Sequence, residues 1–109
     1  MFIVQFEDVY AQQPGRLSER AEHMNAHLAF LDDHGDLVVA AGALRASADG
    51  VPTGGIWIVA ADSKVAVEEI IQSDPFWKAG LRKSFRVSYW AKACWSPGFT
   101  DCMTAIGEN

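Results

Sequence analysis

Five side chains that carry positive charge or move protons recur along one segment at intervals of three, four and seven: Arg16, Arg20, His23, His27 and His34. At about 100° per residue, that spacing places them on one flank of a helix. An imidazole, with an unperturbed pKa near ~6.5, is the side chain best suited to take and return protons near neutrality. Beside this flank runs an apolar stripe of Leu17, Ala21, Met24, Leu28 and Leu31, with Glu19, Glu22 and Asp33 roughly opposite. Histidines on the border between a buried stripe and a solvent face stand where a pocket wall would stand.

A carboxylate is the usual partner for such a base, because it fixes the imidazole tautomer and stabilises the imidazolium that forms. Asp74, in the step Asp74-Pro75, can play that part if the turn after a second helix lies beside the first. The same residue has a structural explanation, since Asp at an N-cap followed by Pro at N1 is a common helix start. One carboxylate oxygen can cap while the other faces a histidine, so both readings stay open. His23 and His27, spaced i, i+4, could share a metal. They lack the Glu of an H-E-x-x-H pattern and a third ligand beyond Asp74 and His34, so no metal and no other cofactor is expected. Arg20 can hold an anionic substrate group or pair with Asp74, and His34 suits the helix C-terminus. Trp57, Trp77, Trp90 and Tyr89 are either pocket lining or core.

The elements that would position these groups follow from pattern and punctuation. Phe2 to Asp8 is an apolar, β-prone run that Gln13-Pro14-Gly15 ends. A helix is expected from Leu17 to His34, with Ser18 as N-cap and Gly35 as the C′ residue. Leu37 to Leu44 and Ile56 to Ala61 read as strands joined by the polar loop Ser47 to Gly55. A second helix, capped by Asp62 or Ser63, runs to about Gln72 with Val67, Ile70 and Ile71 inward. One more turn from Phe76 to Ala79 closes at Gly80, and Ser84 to Lys92 alternates as a final strand. The order β-α-β-β-α-β is that of an α+β, ferredoxin-like fold with an antiparallel sheet. Three of the strands are apolar on both faces, which implies cover on both faces and hence a homodimer.

The chain has 109 residues, half of them hydrophobic and 21% charged, which fits one ordinary globular domain. A net charge of −5 with no basic block argues against nucleic acid. No apolar run approaches the ~20 residues of a membrane helix, and the N-terminus MFIVQFED lacks a positive n-region. A cytoplasmic protein is expected, with Cys94 and Cys102 as free thiols.

The stretch RLSERAEHMNAHLAFLDDHGDLVVAAGAL, followed later by SDPFWKAGL and the strand SFRVSYW, resembles the YciI-like (YCII-related) proteins. The resemblance spans about residues 1–92 and leaves 93–109 as an extension that would dock on a partner or on the pocket. It implies a dimeric α/β barrel built from ferredoxin-like subunits, with an active site of one His and one Asp. By position these are His23 and Asp74, with Arg20, His27 and Trp77 as substrate-binding neighbours. It also implies proton transfer on a small organic acid or ring compound, of isomerase or dehydrochlorinase (lyase) type. Two rival expectations stand beside it: a non-catalytic module that binds or senses a small ligand, and a protein like the cofactor-free monooxygenases of the dimeric α/β barrels. The extra tail and the second histidine, His27, depart from the usual pattern.

Overall fold

A computed structural model describes residues 1–91. The strands are β1 (Phe2–Asp8), β2 (Val38–Leu44), β3 (Gly54–Val59) and β4 (Arg82–Tyr89). The helices are α1 (Leu17–Asp33), α2 (Lys64–Ser73) and the single turn α3 (Pro75–Lys78), with a short 3-10 turn at Pro14–Arg16. The sheet order is β2-β3-β1-β4 and every neighbouring pair is antiparallel, as the ferredoxin-like pattern requires. The expected end of β4 at Lys92, the extension 93–109 and the two cysteines lie outside the described residues.

The helices cover one face of the sheet. Val4, Phe6, Trp57 and Val59 meet Val67, Ile70 and Ile71 of α2 and Phe30 of α1 in the main core. Full burial of each such side chain contributes roughly 1.5–3 kcal/mol. Ser63 begins α2 by accepting from the Ala66 amide at 3.2 Å. A second cluster of Val9, Tyr10, Phe76 and Leu81 packs under α3, with Leu17 and Met24 against it. Gly80, at φ +73°, ends α3 in the left-handed region that glycine enters without steric cost.

Two local expectations are corrected and one is refined. Ser18 does not cap α1; the chain enters through the 3-10 turn, and the Ser18 hydroxyl donates to Gly15 O. Gly35 does stand at C′, after the His34 C-cap, but without the positive φ usual there, and His34 folds back so that Nδ1 donates to Phe30 O at 2.8 Å. The inward face of α1, centred on its two buried residues, is also turned by ~110° from its leucine stripe, at 100° per residue. His27 and Phe30 are its buried residues, while Leu28 is 54% exposed. Packing Phe30 toward Trp57, at 6.1 Å between rings, and His27 flat on Phe76 wins over burying one leucine.

Two bulges set which side chains point inward. Glu7 pairs with Ser84 but Asp8 pairs with Arg82, so Lys83 is an extra residue in β4. That extra residue reverses the alternation and brings Arg82 to the helix face. In β2, Val38 pairs with Val59 and Ala40 with Ile58, leaving Val39 as the extra residue. The opposite face of the sheet carries Ile3 beside Ile58, with Ile56 and Leu44 nearby, and no described element lies over it.

Candidate functional site

Asp74 sits where α2 stops and α3 starts, since Pro75 cannot continue the first helix but suits the first position of the next. Its carboxylate is fully buried. Oδ1 accepts two hydrogen bonds, from the Phe76 amide at 3.1 Å and from His27 Nδ1 at 2.7 Å. Capping and histidine pairing thus share one oxygen, while Oδ2 has no partner among the described residues. The imidazole lies parallel to the Phe76 ring, 3.9 Å between centroids and 5° between planes. With Nδ1–H donating to Asp74, Nε2 is the nitrogen left for chemistry.

A second buried pair stands across the same ring. Arg82 Nη1 donates to Asp8 Oδ1 at 2.9 Å, both side chains being almost fully buried. The guanidinium lies over Phe6 at 4.4 Å and near Phe76 at 5.3 Å. Gly55 makes room for it: a Cβ there would stand 2.8 Å from Arg82 Nη1. Burial pushes the Tyr10 phenol above its ordinary value, and the Asp8 carboxylate pushes it the same way, against the opposing pull of Arg20, Arg82 and Arg16. Tyr10 is therefore a neutral group at the edge of a charged cluster.

Between α1 and the sheet these groups border a cavity of about 120 Å³. An apolar cavity of ~150 Å³ holds a benzene ring, so the space matches a small monocyclic ligand. Its wall includes Arg20, His27, Trp57, Phe76 and Arg82, together with Leu28 of α1 and the small residues Ala41 to Ala43 of β2.

The structure corrects the expected pairing. His23 does not meet Asp74: it lies one turn, about 6 Å, before His27, and its Nδ1 donates to Glu19 O at 2.8 Å. Of the three histidines, His27 is the one that meets α3, on its cap Asp74 and on the ring of Phe76. Trp77, expected to bind substrate, does not line the cavity and packs edge-on against Phe85 at 5.2 Å. Arg20 and Trp57 do line it. Among the described residues no three His, Cys, Asp or Glu side chains converge as a metal site would require, and no helix is long and apolar enough to cross a membrane.

Sequence reasoning missed Arg82, Asp8 and Phe76 as neighbours of the site. A signal for Asp8 was present, because it continues the inward phase of Phe2, Val4 and Phe6. A carboxylate in that phase calls for a buried cation, but the bulge hides Arg82 from period-two counting.

No curated protein matches this sequence. Among solved structures, the chain is similar to 5-chloro-2-hydroxyhydroquinone dehydrochlorinase (TftG) from Burkholderia phenoliruptrix AC1100, in complex with 2,5-dihydroxybenzoquinone. The identity is 30% and the TM-score 0.68, over 82% of this chain and 91% of that one. The model of the YCII-related domain matches residues 3–91, from the second residue of β1 to just past β4. A ferredoxin-like sheet, a buried histidine–aspartate pair at a ring-sized cavity and that match have one reading: the chain belongs to the YCII-related domain family.

Proposed function

We propose that this protein is an enzyme that moves a proton on a small ring compound or cyclic organic acid, by elimination or isomerisation. The observation that carries the proposal is the buried His27–Asp74 pair, at 2.7 Å, on the wall of a cavity sized for one ring. Asp74 holds the imidazole with Nδ1 protonated and stabilises the positive charge the ring acquires when Nε2 takes a proton. The likeness to a dehydrochlorinase supports elimination as the reaction class.

For a chlorinated hydroxyhydroquinone the atoms balance without an external oxidant or reductant. His27 removes one phenolic proton, and the electrons move through the ring as a proton is placed on the chlorine-bearing carbon. Loss of a second hydroxyl proton then drives chloride out with the C–Cl electron pair. The net change is loss of HCl and formation of a quinone.

The functional unit we propose is a homodimer. Its support is the uncovered sheet face with Ile3, Ile56, Ile58 and Leu44, whose burial between two copies is favourable.

The test is chloride release from 5-chloro-2-hydroxyhydroquinone under anaerobic conditions, by the wild type and His27→Gln. Removal of a general base lowers turnover by about 10²–10⁴-fold. Equal turnover in His27→Gln would overturn the role of His27. Absence of turnover with ring and enol acids, while they still bind, would favour a ligand-binding module.

A further inference from the structure

We propose that the substrate is bound as an anion, with Arg82 as its principal anchor and Arg20 as its second. The inference rests on the reading of this cavity as an active site and names the class of molecule it takes: a single ring bearing a phenolate, enolate or carboxylate.

The charged side chains lining the cavity are Arg20 and Arg82, and no carboxylate lines it. The chain as a whole has a net charge of −5, so this is a local reversal of sign. Of the two buried carboxylates nearby, Asp74 is engaged by His27 and the Phe76 amide, and Asp8 uses one oxygen on Arg82.

Arg82 is incompletely used by the protein. Nη1 serves Asp8, Nε is buried with no partner, and Nη2 donates to no described residue. A buried guanidinium with idle donors carries a desolvation cost that a ligand oxygen would offset. Its position is fixed by Asp8 at one end and by the Phe6 and Phe76 rings, while Gly55 keeps the space beside it open. Such a rigid fork suits a planar oxyanion better than a lysine would.

Arg20 provides a second donor from α1. Its Cζ lies 5.7 Å from the Phe76 centroid, and it forms no hydrogen bond or ion pair with any described residue. Phe76 therefore has His27 stacked on it and both arginines around it. A ring held in this cavity would have its anionic oxygens on the arginines and an ionisable position within reach of His27.

Binding to the purified protein at neutral pH tests this without turnover, by titration calorimetry with two six-membered rings that differ in charge. The anionic probe is 2,5-dihydroxybenzoquinone, whose vinylogous acid hydroxyls ionise readily, and the neutral one is hydroquinone. The anion is expected to bind at least tenfold more tightly. Arg82→Lys keeps a cation for Asp8 while deleting the idle donors, so it avoids the unfolding that an uncompensated Asp8 would cause. It should weaken the anionic probe about tenfold or more, the equivalent of one charge-assisted hydrogen bond. Arg20→Met should do the same, and Gly55→Ala, which displaces the guanidinium, should weaken it as well. Equal affinity for the two rings, or wild-type affinity in Arg82→Lys, overturns the proposal. Arginine-dependent binding without chloride release would support the anion site and count against the elimination chemistry alone.

Discussion

Replacing Asp74 with asparagine keeps the volume of a fully buried side chain and removes its charge. Two placements of the amide are possible. With the amide oxygen at the position of Oδ1, the Phe76 amide and His27 Nδ1–H both keep their acceptor. The NH₂ group then occupies the place of Oδ2, where no described residue accepts, at a cost of about 1–3 kcal/mol. With the amide flipped, NH₂ donates to Nδ1 and the cap of α3 is lost, at a cost of about 1 kcal/mol. That flip forces the proton onto Nε2 and leaves no base facing the cavity. In either placement the imidazolium loses its anion, which is worth about 1–2 kcal/mol and lowers turnover roughly fivefold to thirtyfold. The wrong tautomer extends the loss toward ~10⁴-fold. The assay is chloride release alongside nitrogen NMR of the His27 ring, with urea denaturation to confirm that at most about 3 kcal/mol of stability is lost. Turnover within threefold of the wild type, in a folded Asp74→Asn protein with Nδ1 still protonated, would refute the dyad.

Other perturbations separate the site from its scaffold. Gly54→Ala forces a Cβ into the Phe6 carbonyl oxygen at the end of the β1–β3 pair and should cost about 3 kcal/mol or more. Gly15→Ala meets nothing within 4 Å and should change stability by less than about 1 kcal/mol, both read from urea midpoints. Arg16 donates to Ala79 O at 2.8 Å and Gly80 O at 3.0 Å, so Arg16→Ala should lower stability by about 1–2 kcal/mol in thermal melts. Because the folded state raises the Tyr10 pKa, the stability this gives is complete below pH ~10 and is lost as pH rises through the raised value. Tyr10→Phe should therefore flatten the alkaline fall in melting temperature, and an unchanged slope would count against a buried neutral phenol. Sedimentation should find a dimer at micromolar concentration and a monomer for Ile58→Lys, whose charge would sit on the uncovered face.

Most of the scaffold was legible because hydrophobic period and turn chemistry act locally. The run of β1, the Ser63 cap and the Asp74-Pro75 start of α3 each depend on a few adjacent residues. Asp74 and Arg20 were legible as site candidates for the same reason. The choice between His23 and His27 was not, because a stripe fixes a helix's flank but not which turn meets α3. The leucines also pointed to the wrong centre for the buried face. Phe30 and the stacked His27 outweigh Leu28, a tertiary preference that spacing alone does not express. Arg82 was hidden for a different reason: alternation counted back from Phe85 and Val87 sends it outward unless the bulge at Lys83 is known.

That bulge makes the pairing register of β4 part of the chemistry. Flattening it, so that Lys83 itself paired with Asp8, would restore unbroken alternation and send the guanidinium to the side of Ile3 and Ile58. Asp8 would then face Lys83, and the cavity would lose its buried arginine although every residue that lines it was still encoded. A one-residue change of register there would exchange the places of two cations by parity alone.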